Sequence, residues 1–265
     1  MKTKMLFTKQ KIWNNMKITL YTICYNEQEM LPYFLNHYSK MVDKIVVYDN
    51  QSTDNSRQIL ESFKDCEIEI IDYNTDNQYS EESQTNLRNN CWKNDTDSNY
   101  IIVVDIDEII YHPKFREFLR NNRDVDCFKP VGYDMIGDDI PTDHTKEIYE
   151  IIKDGTLNTM YSKVALFRRK NVLETNFTYG SHFSSFIGNK PLVIHESKGD
   201  LKLLHYKCLS YEYVVKKHND YSKRRSEFSK IHGLGFHYDF SRDKILEEFN
   251  KLKDSSTKVV LWKKY

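Results

Sequence analysis

The chain has 265 residues, 39% hydrophobic, 14% aromatic and 29% charged, which suffices for one large α/β domain or a domain with an appendage. Lys plus Arg and Asp plus Glu each total 39, so the formal net charge is zero, which argues against a general nucleic-acid binder. No apolar run approaches the roughly 18–20 residues of a membrane span.

The N-terminus shows no apolar stretch ahead of a small-residue cleavage site, so no signal peptide is expected. Five scattered cysteines without Cys-x-x-Cys spacing read as reduced thiols, and a cytoplasmic location is expected. Residues 1–15 read as a peripheral segment, with Met16 open as an alternative start. Ile18–Cys24 is a predicted strand, followed by a turn at Tyr25-Asn26-Glu27. Residues 28–41 read as a helix with Met30, Leu31, Phe34, Leu35 and Tyr38 on one face and Pro32 in the tolerant first turn. A second buried strand over 44–48 ends in Asp49-Asn50-Gln51-Ser52-Thr53-Asp54, where Ser52 or Asp54 can cap a helix over 56–63. A third strand follows over 67–72 and a third helix over 80–92.

Tyr100 to Val104 is a short apolar run without alternation, the pattern of a parallel strand buried on both faces. It delivers Asp105, Ile106, Asp107 and Glu108 to the sheet edge. The β-α-β-α-β-α-β order predicts right-handed crossovers and a mainly parallel, Rossmann-type sheet with helices on both faces. Ligands bind outside the carboxyl ends of such strands, so Cys24/Asn26, Asp49/Asn50 and Asp105/Asp107 are expected along one crevice. Residues i and i+2 share a face if strand geometry persists to Asp107. Two ionised carboxylates there repel unless a cation lies between them, and oxygen ligands suit Mn²⁺ or Mg²⁺ completed by substrate phosphates. The same acids also suit turn and helix-cap roles, and both readings stay open on spacing alone.

Beyond Glu108 the pattern changes to a helix over 115–120, a strand over 127–131 and a loop-rich stretch over 132–162 with Gly132, Gly137, Pro141 and Gly155. A strand over 164–168, the turn Gly180-Ser181-His182, a strand around 203–206 and a basic helix over 211–228 complete the series. There is no internal repeat.

Three ordered motifs, Thr22-Ile23-Cys24-Tyr25-Asn26-Glu27, Val47-Tyr48-Asp49-Asn50-Gln51-Ser52-Thr53-Asp54 and Asp105-Ile106-Asp107-Glu108, resemble the signature of family-2-type glycosyltransferases with a GT-A fold. Tyr161-Ser162-Lys163, Gly180-Ser181-His182 and Leu204-His205-Tyr206-Lys207 resemble the C-terminal half of one branch. The resemblance implies a nucleotide-sugar-binding half over 16–112, an acceptor and metal-completing half of the same domain over 113–240, and a helical tail over 241–265. It implies transfer of a sugar from a UDP-linked donor to a glycan, lipid or protein acceptor, with Mn²⁺ or Mg²⁺ at the Asp-x-Asp and inversion at the sugar. Homo-oligomerisation is left open.

By resemblance, Thr22, Cys24, Asn26, Glu27 and Ile106 belong to the donor site, Asp105 contacts ribose or metal, Asp107 ligates the metal and His205 is the third ligand. His205 equally suits a hydrogen-bonded structural role. Asn50 stands where the family often has Asp; its carbonyl and NH₂ can pair with uracil N3–H and O4 together. Lys207, Lys217, Arg224 and Arg225 are candidates to clamp the diphosphate, and Gln84 and Arg88 to reach the donor. Inverting transfer needs a base, for which Asp134, Asp138, Asp139 and His182 are candidates; Asp138 and Asp139, between Gly137 and Pro141, equally suit a surface turn. Two other classes fit less of the pattern: a binding module that has lost turnover, and a haloacid-dehalogenase-type phosphatase, whose Asp-x-Asp opens the domain.

Overall fold

The computed structural model describes residues 16–260. Residues 1–15, expected as a peripheral segment, and 261–265 of the expected tail lie outside the described residues.

The first half alternates as the apolar runs require: β1 (Ile18–Cys24), α1 (Leu31–Tyr38), β2 (Lys44–Asp49), α2 (Ser56–Ser62), β3 (Glu67–Asp72), α3 (Glu81–Asn90) and β4 (Tyr100–Val103). β1 and β4 carry almost uninterrupted buried residues, because both faces of a parallel sheet are covered. Then come β5 (Glu108–Tyr111), α4 (Phe115–Asn121), β6 (Cys127–Lys129), β7 (Val131–Ile136), α5 (Ile148–Ile151), β8 (Asp154–Leu157), β9 (Leu166–Arg168), β10 (Val172–Glu174), β11 (Ile187–Gly188), β12 (Ile194–Glu196), β13 (Lys202–Cys208), α6 (Tyr211–Arg224), α7 (Glu227–Ile231), α8 (Arg242–Ser255) and β14 (Thr257–Lys258).

The central sheet has the order β12-β6-β9-β4-β1-β2-β3, with β4, β1, β2 and β3 mutually parallel. Only β9 runs against its neighbours. A second sheet, β14-β8-β7-β13-β5, stands beside it. The carboxyl ends of β1, β2 and β4 therefore share one edge. At the opposite margin β3 is the outer strand, and Glu67 and Glu69 both bind Lys44 of β2, at 3.1 and 2.7 Å. Among the described residues no helix is long and apolar enough to cross a membrane.

Several boundaries differ from the sequence reading. The helix expected over 28–41 is Leu31–Tyr38, since the flanking residues form turns on Glu27 and Tyr38 carbonyls. Asp54 accepts from the Ser56 N–H at 2.9 Å near the start of α2, while Ser52 binds the Asn26 N–H instead. The strand expected to carry Asp105 ends at Val103, and the Glu108 N–H closes a turn on the Asp105 carbonyl at 3.0 Å. Strand geometry thus does not persist to Asp107, because the chain leaves one sheet there and enters the other as β5.

The stretch over 132–162 carries two strands beside its long connection over 137–147: β7 and β8 lie there, paired with each other and with β13 and β14. The basic helix breaks at Arg225, and Ser226 caps α7 through the Ser229 N–H.

Gly132 on β7 explains part of this arrangement. A β-carbon there would collide with the Tyr161 backbone, and its N–H donates to Ser162 Oγ at 3.0 Å. Gly132→Ala is accordingly expected to destabilise the fold by about 1–3 kcal/mol, read as a lower urea midpoint with an unchanged m-value.

Candidate active site

A cavity of about 570 Å³ opens at the carboxyl edge of β1 and β4 and is closed from the other side by β13, α6 and α8. The β1 end contributes Tyr25 and Glu27, the turn after β4 contributes Asp105, Ile106 and Asp107, and α3 contributes Gln84 and Arg88. From the second half come Asp134 of β7, His182, His205 and Lys207 of β13, and Lys217 and Arg224 of α6.

Asp105 is gripped by Arg88, whose Nη2 donates to Oδ1 at 2.7 Å and also reaches Gln84 Oε1 at 3.1 Å. Burial works to raise the Asp105 carboxyl, but Arg88 and Lys163 outweigh it and hold it below its ordinary value. His205 lies between two acids: Nδ1 is 2.9 Å from Asp134 Oδ1 and Nε2 is 3.5 Å from Asp107 Oδ2. Burial opposes the imidazolium, yet Asp107 and Asp134 raise its pKa to about 9. Burial likewise opposes the Asp107 carboxylate, and His205 nevertheless brings it down to about 2. The Tyr161 ring covers His205 at 3.9 Å between centroids.

Glu108, the third acid of the motif, turns inward. It is fully buried, with Oε1 2.6 Å from the equally buried Lys163 Nζ, and its Oε2 accepts from the Asp105 N–H at 3.2 Å. The Glu108 carbonyl takes the Tyr38 hydroxyl at 2.9 Å, and that hydroxyl accepts from the Ile110 N–H at 2.9 Å. One buried acid thereby fixes the turn that presents the other two.

The remaining expected residues fall elsewhere. Thr22 and Cys24 are buried along β1. Asn26, at φ 52°, binds the Thr53 and Asp54 N–H groups at 2.7 and 3.3 Å and so ties the β1 end to the loop after β2. Asn50 is buried behind the cavity wall, with Nδ2 donating to Tyr73 O and Thr75 Oγ1 at 2.9 Å each. Its Oδ1 accepts from Arg224 Nη2 at 2.7 Å, and that guanidinium lies over the Tyr25 ring at 3.2 Å. Arg224 Nε binds Asn77 through O and Oδ1 at 3.0 Å each.

Lys217 is paired with Glu27, Lys207 with Asp134 at 3.3 Å, and Arg225, off the cavity, with Asp239 at 2.7 Å. Asp138 and Asp139 are exposed and do not line the cavity; Asp138 is paired with Lys253. Asp134 lines it but is spent on His205, Lys207 and Asn158, the last at 2.7 Å.

As a metal site the fit is partial but chemically sound: Asp107 offers oxygen, His205 offers nitrogen once deprotonated, and Asp105 is adjacent but engaged by Arg88. Among the described residues no three His, Cys, Asp or Glu side chains converge as a ready ligand set. A divalent ion here would take further oxygen ligands from outside these side chains to complete its shell. Sequence reasoning gave no role to Lys163 or Tyr161, which it had singled out only as a motif, and missed His218, His237 and Tyr238 of the far wall. The run Gly233-Leu234-Gly235-Phe236-His237-Tyr238 was the available signal.

Fold and site define an α/β glycosyltransferase of GT-A type. The chain belongs to glycosyl transferase family 2, whose profile matches residues 19–187. No curated protein sequence matches the chain. Among solved structures it is similar to S. aureus TarS 1–349, at 16% identity over 89% of this chain and 71% of that one, with a TM-score of 0.41. It is also similar to glucosyl-3-phosphoglycerate synthase from Mycobacterium tuberculosis in complex with Mn²⁺, UDP and glucosyl-3-phosphoglycerate (16% identity, 45% of each chain, TM-score 0.32). HddC from Yersinia pseudotuberculosis matches at 11% identity over 79% of this chain and 98% of that one, TM-score 0.39. The chain spans less than half of the M. tuberculosis synthase.

Two outcomes are expected. Lys163→Met strands the Glu108 carboxylate and should cost about 3–5 kcal/mol, most of it recovered in Lys163→Met/Glu108→Leu, as read by urea unfolding. In metal-free protein, His205 contributes stability that is complete below its ordinary pKa of 6.5 and is lost as pH rises towards about 9. The urea midpoint of wild type relative to His205→Asn should therefore fall across that window, in the presence of EDTA.

Proposed function

We infer that the protein transfers a sugar from a UDP-sugar donor to an acceptor hydroxyl, with inversion and with a bound Mn²⁺ or Mg²⁺. The observation that carries this reading is the polarity of the cavity. An acidic pole at Asp105 and Asp107 faces a buried guanidinium, Arg224, that has no carboxylate in ion-pair contact among the described residues. Lys207, Lys217 and Arg225 are each neutralised by an acid, so Arg224 is the cation with charge to offer a diphosphate. Asp107 and His205 would hold the divalent ion, with Asp105 beside them. That ion supplies electrostatic stabilisation of the departing diphosphate.

Arg224 also caps Asn50 Oδ1. The two Nδ2 bonds fix the amide so that its oxygen faces the cavity side, the correct polarity to accept from uracil N3–H once Arg224 moves onto the phosphates. His182 serves as base in this reading. It lines the cavity, and burial, with Lys163 and His205, pushes its pKa below the ordinary value, so the ring is free to take the acceptor proton. The exposed Asp138 and Asp139 have no such access.

The test is UDP release from UDP-sugars with and without EDTA. Asp107→Ala should lose roughly 100-fold or more in turnover, and Arg224→Gln should raise the donor KM roughly tenfold with a smaller effect on turnover. Full activity of Asp107→Ala, or of wild type in EDTA, would refute the metal assignment.

A further inference from the structure

The wall of the cavity opposite Asp105 and Asp107 has a chemistry of its own. Its frame is a short 3₁₀ turn, Phe236–Asp239, entered through Gly235 at φ 68°. A β-carbon at Gly235 would press on the Tyr238 ring at 3.1 Å, so glycine is needed for conformation and for space. The turn is fastened at three points, by Ser222 of α6 and twice by Arg225, which follows that helix. Arg225 Nη1 donates to the Gly235 carbonyl at 3.1 Å, Arg225 pairs with Asp239 at 2.7 Å, and Ser222 Oγ donates to Asp239 Oδ1 at 2.6 Å.

This fastening sets a continuous belt of rings along the cavity. Tyr238 stacks on Tyr221 at 4.9 Å and 23°, and His218 meets His237 at 5.8 Å and Tyr238 at 5.5 Å, both edge to face. Phe240 and Phe249 continue the lining with apolar surface. We propose that this belt, centred on His218, His237 and Tyr238, is the acceptor subsite, and that the acceptor group it takes is an uncharged sugar residue. The inference rests on the glycosyltransferase reading and adds the class of acceptor to it.

Three physical points support it. First, hydroxyl groups need partners that both donate and accept, and a neutral imidazole carries one N–H and one lone pair. Burial, aided by Lys207, keeps both His218 and His237 neutral, with pKa values lowered to about 4. His218 Nδ1 is buried without a hydrogen-bond partner among the described residues, so this ring nitrogen is left for a hydroxyl to satisfy. Second, the cations near this wall are already paired: Lys207 with Asp134, Arg225 with Asp239 and Lys217 with Glu27. An anionic acceptor would gain no unpaired partner from them, in contrast to the donor end, where Arg224 has charge to spare. Third, aromatic rings beside apolar side chains suit the C–H face of a pyranose, so one sugar ring can be held by contact with a ring face and by hydroxyl hydrogen bonds together.

The experiment uses the full chain loaded with UDP and Mn²⁺. Saturation-transfer NMR measures binding of methyl glucoside, methyl galactoside and methyl N-acetylglucosaminide, each beside its 6-phosphate. At least one neutral glycoside should bind, its phosphate no more tightly. His218→Leu and His237→Leu should each weaken it roughly five- to tenfold, while calorimetry gives wild-type UDP affinity, which also shows that the variants are folded. Binding of the phosphates alone, wild-type glycoside affinity in both variants, or UDP binding without any glycoside binding would each overturn the proposal. If wild type fails to bind UDP, the donor reading falls, and this inference with it.

Discussion

The ion pair of Glu108 and Lys163 joins the two sheets at the point where the chain passes from one to the other. Removing two charges from water costs several kcal/mol per ion before attraction is counted. Close contact at 2.6 Å offsets that cost, and Glu108 also takes up the Asp105 N–H. Net stabilisation is not the main product of such a pair. Its effect is geometric: with Glu108 anchored inward, the turn can expose Asp105 and Asp107 without their backbone being free to slip. Lys163 adds positive potential behind Asp105, which helps keep that half-buried carboxylate ionised.

Among the described residues the cations around the cavity are each paired with an acid, with one exception. Arg88 answers Asp105, His205 answers Asp107 and Asp134, Lys207 answers Asp134, and Lys217 answers Glu27. Arg224 alone of these cations is held by carbonyl oxygens and a tyrosine face. A low-dielectric wall strengthens whatever field remains uncompensated, so the attraction for an anion is concentrated around Arg224. The far wall, neutral and aromatic, is left to shape and hydrogen bonding. A single cavity thus offers two chemically distinct neighbourhoods.

Much of the first half was legible in the sequence because parallel strands buried on both faces read as plain apolar runs, and their order fixes which ends share an edge. The Asp-x-Asp-Glu cluster was legible for the same reason. β7 was not: Gly132 and Asp134 interrupt its apolar pattern, one to admit the Tyr161 backbone and the other to hold His205. The partnership of Asn50 with Arg224 spans 174 positions and leaves no local trace. The same holds for Lys163 and Glu108, whose pairing depends on how the second sheet is laid against the first. Asp138 and Asp139 illustrate the converse, acids that a turn-like context placed at the surface, outside the cavity.

The outer margin of the central sheet has a consequence for the protein in company. Among the described residues β3 is the outer strand of the central sheet, and an outer strand is a template on which another chain can grow. Glu67, Glu69 and Asp72 along it mean that any incoming strand must dehydrate carboxylates to dock. Lys44 is already claimed by Glu67 and Glu69, and Arg57 by Asp72, so these cations are not free to lighten that burden. Charged side chains along an outer strand are one of the ways in which sheets discourage edge-to-edge pairing, and this margin carries them at three of its six positions.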